Sequence, residues 1–407
     1  MGYRRRQVVT ATLTANALRP SRSYFAGASG FFPGWLTAEL APHLLTLTAV
    51  DAVRELRRGR NADRRALVVG AAAMAGLVTV IAESRRAGDA VDRELAEALG
   101  ADYREQLAEA HDDLDPITPW RQLVWPFRVR HPDVKVIRDV RYSEHGKRGL
   151  LDVYLPRHNK VHGAPILLQV HGGGWWIGNK HEQGVPLMTQ MAAAGWVCVA
   201  INYRLSPRAK WPDHIVDVKA AIAWLRENAH EYGADPDFIA ITGGSAGGHL
   251  CSLAALTPND PEFQPGFEDA DTTLQACVPH YGVYDLAGES GRRAAVQMRD
   301  RFLAPRLFRA DPAVDIDVFR RASPLVRVNA DAPPFLVIHG VNDTLVSVDQ
   351  ARDFVAALRQ VSKQPVVYTE LAGTQHAFDV FPSIRSQHVM KAVDRFLRWS
   401  YAEWQKG

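Results

Sequence analysis

Residues 238–250 read Phe238-Ile239-Ala240-Ile241-Thr242-Gly243-Gly244-Ser245-Ala246-Gly247-Gly248-His249-Leu250. A short apolar run with β-branched residues leads into a serine flanked by glycines, and a helix-like stretch follows. The order is strand, sharp turn, helix. A serine at such a turn is held in a strained backbone conformation that exposes its hydroxyl above the sheet edge. Gly243 and Gly247, two residues to either side, must be nearly free of side chain for the turn to close. The helix N-terminus behind Ser245 adds a dipole that favours developing negative charge. By chance the five-residue pattern occurs in roughly one chain in ten of this length, with Gly and Ser each near ~7% of residues. Its weight comes from its place between strand and helix.

Outward from this turn the same alternation continues. Strands are expected at 135–142, 150–155, 165–170, 196–203, 237–242, 275–281, 335–340 and 365–371. Helices are expected at 213–229, 247–256, 348–360 and 384–404. Asp235-Pro236-Asp237 reads as a turn ahead of Phe238. Alternating strands and helices predict an α/β fold, with a mostly parallel sheet flanked by helices. The charged, Pro-punctuated run at 285–330 reads as a cap-like insertion.

A second motif ends the apolar run Pro165–Val170: His171-Gly172-Gly173-Gly174-Trp175. Successive glycines leave backbone N–H groups bare, so they can approach an anionic oxygen closely. With the N–H of Ala246 they make a three-donor oxyanion hole. Chance produces a histidine before three glycines in under about 1% of such chains. A phosphate cradle would need a following Lys-Ser/Thr, which is absent. The two motifs lie 74 residues apart (245 − 171), and each strengthens the other.

A serine hydroxyl needs a base, and the base needs a group that fixes its tautomer. In this architecture the chain order is serine, acid, histidine. Asp343 follows the strand at 335–340, and His376 follows the strand at 365–371, so both fall on the same sheet edge as Ser245. Asp285 and Asp379 are the competing acids; Asp285 precedes the insertion, and Asp379 comes after the candidate base. His280 and His339 lie within strands and read as core or loop-anchoring residues. His249 is too close to Ser245 in sequence to serve it.

These residues carry a resemblance. HGGGW at 171–175 with GGSAGG at 243–248 is similar to the hormone-sensitive-lipase-like (family IV) carboxylesterases, and within them to the Lip-type carboxylesterases of high-GC Gram-positive bacteria. Asn202-Tyr203-Arg204-Leu205-Ser206-Pro207 matches a further segment, in which the family often has Asp at the position of Asn202. The spacings Ser245 to Asp343 (98) and Asp343 to His376 (33) are similar as well. The resemblance covers about residues 120–400. It implies an α/β-hydrolase fold, a Ser245–Asp343–His376 triad and oxyanion donors at Gly173, Gly174 and Ala246, and it favours short to medium acyl chains. One departure is Gly244, where many relatives carry an acidic residue; this alters local hydrogen bonding without touching the nucleophile.

Composition limits the alternatives. The net charge of +3 over 407 residues, with no basic stripe interleaved with aromatics, gives no nucleic-acid partner. Cys198, Cys251 and Cys277 show no CxxC spacing and read as buried small hydrophobes, so neither a disulfide framework nor a metal site is implied. No cofactor is called for. Residues 1–118 form a helical N-terminal module, and 119–407 form the catalytic domain, the texture changing after Pro116 and Pro119. Within the module, Ala66–Ala82 is an uncharged run of 17 residues, the short end of a membrane span. Trp35–Val50 is a poorer candidate, and six arginines (54, 57, 58, 60, 64, 65) lie between the two. Residues 30–86 therefore read as a span, as a hairpin at a membrane interface or as a soluble cap. The location is cytoplasmic or associated with the membrane or cell envelope, and the sequence is silent on oligomeric state.

The expected activity is hydrolysis of carboxylic esters, small-molecule or lipid, through an acyl-enzyme on Ser245. The alternatives are an amide-directed hydrolase resembling an aryl-formamidase and a non-catalytic hydrolase-fold binding protein. The complete triad and glycine motifs speak against the second, because binding alone requires neither Ser245 nor His376.

Overall fold

Eight strands form one mixed sheet in a computed structural model that describes residues 1–110, 120–158 and 161–407. Pro116 and Pro119 lie outside the described residues. The strands are β1 (Val134–Arg141), β2 (Leu150–Pro156), β3 (Ala164–Val170), β4 (Val197–Ile201), β5 (Ala234–Gly244), β6 (Ala276–His280), β7 (Phe335–Gly340) and β8 (Val366–Leu371), in the spatial order β1-β2-β4-β3-β5-β6-β7-β8. β1 and β2 pair antiparallel, β2 pairs antiparallel with β4, and the remaining strands run parallel. The central strands β3, β4 and β5 read as continuous apolar runs because both faces are covered. On one face Ile166, Leu168, Ile239 and Ile241 join a large buried cluster; on the other, Leu167, Phe238 and Ala240 join a second.

The first departure from expectation is β5. Asp235-Pro236-Asp237 belongs to the strand, and the turn before it is made by Gly233 at φ 74°. Asp235 accepts the Asp237 amide at 2.9 Å through its side chain. The β3–β5 register accordingly jumps from Ala164↔Ala234 to Ile166↔Ile239.

Helices α7 (Val185–Ala193), α8 (Asp213–Asn228), α9 (Ala246–Leu256), α12 (Val348–Val361) and α13 (Ile384–Trp404) flank the sheet. α7 was not anticipated; its glycine cap and Pro186 sit in a run without clear periodicity. Between β6 and β7 lie α10 (Arg293–Met298), a π-helical stretch Arg299–Phe308 and α11 (Ile316–Arg321).

The N-terminal part is helical from Tyr3 onward: α1 (Tyr3–Leu18), α2 (Tyr24–Glu39), α3 (Ala41–Leu56), α4 (Arg64–Leu99), α5 (Tyr103–Ala110) and α6 (Trp120–Val124). α4 packs along α13 and β8, with Ala87, Val91 and Leu95 buried in the second cluster. Its first half packs on α1 and α3.

Candidate active site

Ser245 sits between β5 and α9 with φ 58° and ψ −120°, a strained conformation for a residue with a side chain. The Ser245 amide donates to the His280 carbonyl at 3.0 Å, which pins the turn to β6. A Cβ on Gly243 would stand 2.7 Å from the Gly247 and Val170 backbones, and one on Gly247 would stand 2.1 Å from the Val170 carbonyl. Both positions admit only glycine. The Ser245 hydroxyl forms no hydrogen bond among the described residues; catalytic bonds are often loose before substrate arrives.

The HGGG loop lies against this turn. A Cβ built on Gly172 would be 3.1 Å from the Ser245 Cβ. Gly173 and Gly174 take positive φ, 113° and 60°, and among the described residues their amides have no protein acceptor. The loop is held from outside. Gln183 accepts the Gly172 amide through Oε1 at 2.7 Å, Tyr203 donates to the His171 carbonyl at 2.9 Å, and the His171 ring stacks on Tyr203 at 4.3 Å. Burial lowers the His171 pKa to about 4, so the ring is neutral and donates through Nδ1 to the Gly172 carbonyl at 2.7 Å.

Asp343 and His376 meet. The His376 Nδ1 is 2.6 Å from Asp343 Oδ2. His339 Nε2 approaches the same oxygen at 3.3 Å, while Asp343 Oδ1 accepts the amides of Leu345 and Val346 at 2.8 Å each. Burial opposes ionisation of Asp343, but the two histidines outweigh it and hold the carboxyl well below the usual carboxylate range. With Asp343 ionised, Nδ1 of His376 carries the proton, and Nε2 is left free to accept one. Gln375 ties the Asp343 and His376 loops together, its Oε1 accepting the Thr344 amide at 2.8 Å and the His376 amide at 2.9 Å.

The competing acids have other work. Asp379 accepts from His280 Nδ1 at 2.7 Å and from the Tyr281 hydroxyl; Asp285 caps Glu289 and Ser290. His249 is fully buried between Trp175 and the Ala322 carbonyl. Gln183, Gln375 and Tyr281 were not singled out from sequence. Glutamines and tyrosines carry no motif, and each acts across more than 10 residues of chain or between loops.

Tyr281 borders the site on two sides. Its ring centroid is 4.5 Å from that of His376, and its hydroxyl would lie 2.6 Å from a Cβ at position 244. Trp175, Ser245, Tyr281 and Ala377 all have left-handed φ, at 61°, 58°, 37° and 61°. Backbone strain is thus gathered around this one edge of the sheet. Near this edge Trp175, Leu303 and Phe308 are buried in the core. Phe302 instead faces Gly174, where a Cβ would be 3.3 Å from its ring, and Arg306 lies over both Phe302 and Trp176. From the N-terminal part, Phe31 of α2 stands edge-on to His376 at 5.9 Å.

The arrangement can raise a nucleophilic oxygen, take its proton, and receive an oxyanion on backbone donors. Comparisons with known proteins point the same way. The BD-FAE family model matches residues 151–358. The probable carboxylic ester hydrolase LipM of Mycobacterium tuberculosis is 44% identical, over 98% of this chain and 93% of its own length. Esterase LipQ of the same organism is 40% identical over 91% of this chain and 84% of its own. Among solved structures, esterase 2 of Thermogutta terrifontis is 26% identical with a TM-score of 0.53, covering 65% of this chain and 90% of that one.

Proposed function

Because the chain belongs to the BD-FAE family and is a carboxylic ester hydrolase, we propose that it acts through an acyl-enzyme on Ser245, with His376 as general base and Asp343 as the group that orients it. The carrying observation is the 2.6 Å Asp343–His376 bond, on the sheet edge that also presents the Ser245 turn and the bare glycine loop. His376 takes the Ser245 proton as the hydroxyl attacks the ester carbonyl. The tetrahedral oxyanion is received by the amides of Gly173, Gly174 and Ala246. His376 then gives the proton to the leaving alcohol, and water repeats the sequence to release the acid.

Phe302 beside Gly174 and Phe31 beside His376 leave limited room around the reacting carbonyl, which supports short to medium acyl chains. The same proposal gives residues 30–86 contact with a membrane, supported by exposed apolar side chains such as Leu47 and Val68. Residues 1–118 then form a helical N-terminal module whose second half shares a core with the catalytic domain at 119–407, with 285–330 contributing a cap.

Fluorophosphonate labelling tests the chemistry. The wild type should be labelled once, on Ser245, and should hydrolyse p-nitrophenyl butyrate. Ser245→Ala should fold, remain unlabelled and lose turnover by several orders of magnitude. A labelled or active Ser245→Ala protein would overturn the assignment. Formanilide turnover exceeding ester turnover would shift it to amide chemistry.

A further inference from the structure

The N-terminal bundle formed by α1, α3 and the first half of α4 places many polar and small side chains inside and several large aliphatics on its surface. Gln7, Thr14 and Thr48 face inward, with Gly70 and Ala73 beside them on α4, next to a small apolar cluster of Ala17, Ala41, Leu77 and Val80. Gly70 lies under the Gln7 side chain, and a Cβ on Gly76 would stand 2.6 Å from the Thr14 methyl. Facing outward are Val8, Leu47, Val50, Val68 and Val78, between 43% and 70% exposed. In water the hydrophobic effect favours the opposite distribution. Small and polar residues inside with branched aliphatics outside is the arrangement that packs helices within hydrocarbon, where the surroundings are already apolar.

Charge brackets the apolar band. Arg64 and Arg65 open α4 and Arg85 and Arg86 close its uncharged stretch, Ala66–Ala82. At about 1.5 Å per residue those 17 residues extend about 26 Å, close to the ~30 Å hydrocarbon thickness. Arginines at both ends can reach anionic headgroups along their aliphatic stems. At the far tip, Arg4 pairs with Asp63 at 2.8 Å and Arg6 with Asp51 at 2.6 Å. At the other end, where the bundle meets the catalytic body, Trp120, Trp125 and Phe127 are 66–67% exposed. His43 Nε2 lies 3.0 Å from the Val124 carbonyl, which ties this aromatic group to the start of α3. Aromatic side chains concentrate at just such a boundary level.

From that level a file of rings leads to the triad. Phe127 meets Phe381 at 5.5 Å, Phe381 meets Trp35 at 5.4 Å, Trp35 stacks with Phe31 at 6.0 Å, and Phe31 meets His376 at 5.9 Å. α2 thus lies between the aromatic boundary and the catalytic base.

We infer that the outward faces of α1, α3 and α4 are embedded in a lipid bilayer, and that the enzyme takes bilayer-dissolved apolar esters along the ring-lined side of α2. The substrate half of this inference rests on the esterase chemistry proposed above; the anchoring half does not.

The test uses full-length protein and a Leu47→Asp/Val68→Asp double variant, which changes two side chains that touch little in the fold. Three readouts are taken: retention in cell membranes after a carbonate wash, flotation with phosphatidylcholine/phosphatidylglycerol vesicles in 1 M salt, and turnover of two esters. The wild type should stay with membranes and float. It should also hydrolyse p-nitrophenyl decanoate, a medium-chain ester, dissolved in vesicles. The double variant should float at least tenfold less and lose decanoate turnover by a similar factor, while turnover of soluble p-nitrophenyl butyrate stays within twofold. Wild-type protein recovered without detergent as a soluble monomer, or as a self-associated oligomer that does not float, would overturn the anchor. Equal decanoate turnover by both proteins would overturn the substrate route. Loss of butyrate turnover in the wild type would speak against the chemistry alone, since flotation is read independently.

Discussion

The phenol ring of Tyr281 fills the space in which any side chain at position 244 would have to stand. A Cβ on Gly244 would lie 2.6 Å from the phenol oxygen and 2.7–2.8 Å from two carbons of that ring. The ring is fully buried, its hydroxyl is committed to Asp379, and burial followed by the Asp379 charge raises its pKa well above the ordinary tyrosine value. Gly244 is therefore a steric consequence of Tyr281. An acidic residue there, as in the resembling family, needs a different neighbour at 281.

Gly244→Asp is accordingly expected to destabilise the fold by about 1–3 kcal/mol through overpacking and to reduce turnover by displacing the ring that packs on His376. Combined with Tyr281→Ala, the aspartate should cost less than the sum of the two single changes, as expected for side chains that share one space. Urea unfolding of the four proteins checks this; strict additivity would contradict the steric account.

Three buried histidines predict acid sensitivity. Burial lowers the pKa of His171 and His214 to about 4 and of His249 to about 3. In the unfolded chain each returns to about 6.5. As pH falls below that value the unfolded state binds protons first, so folded stability is full above about pH 6.5 and declines toward pH 4. Each group adds up to about 1.4 kcal/mol per pH unit to that decline. The urea midpoint should be flat from pH 7 to 8 and fall steeply from 6 to 4.5, with His214→Gln reducing the slope. A midpoint unchanged across pH 6 to 4.5 would contradict the neutral burial of these rings.

The sheet was legible in the sequence because its central strands contain short apolar runs set off by glycine, proline or charge, and all eight were expected within a few residues of where they lie. β5 was misjudged at its start because an Asp-Pro-Asp sequence reads as a turn, whereas a side-chain bond from Asp235 lets it sit in a bulged strand. Ser245, Asp343 and His376 could be named as candidates because chain order and strand ends constrain them, and Asp343 does lie against His376. What surrounds them could not. Phe31 reaches His376 from 345 positions away (376 − 31), and no local pattern announces which helix will cross a sheet edge. The exposed aliphatic faces of α1 and α3 were hidden for a related reason: a helix with Thr and Ala on one face and Val and Leu on the other looks amphipathic until the neighbour that takes the first face is known.

Asp343→Asn should lower kcat for p-nitrophenyl butyrate by about 10⁴, leaving KM little changed. The carboxylate now fixes the proton on Nδ1 of His376; an amide there allows the opposite tautomer and removes the charge that stabilises the imidazolium. Because the folded Asp343 carboxyl is held well below the ordinary range, it stays ionised as the pH falls through 4. The acid limb of kcat/KM should therefore show no second ionisation from Asp343 above pH 4. A loss of less than tenfold in kcat would remove Asp343 from its orienting role.

Arg385 and Glu39 join α13 to α2 by an ion pair in which both side chains are essentially excluded from water. Ser383 adds a hydroxyl bond to Glu39 at 2.6 Å. Taking one partner from such a pair leaves the other charge buried without compensation and typically costs about 3–5 kcal/mol. Arg385→Met is expected to lose about that much. Glu39→Gln combined with Arg385→Met should recover part of it, because neither charge then remains stranded. The effect should appear locally first. α2 carries Phe31 against His376, so its loosening should make the α1–α2 connection at residues 19–23 sensitive to trypsin at Arg19 and Arg22 before the sheet and its flanking helices are cut. Limited proteolysis followed by mass analysis distinguishes this from general unfolding: simultaneous cleavage throughout the chain would show that the pair supports the whole fold instead of holding α2 over the site.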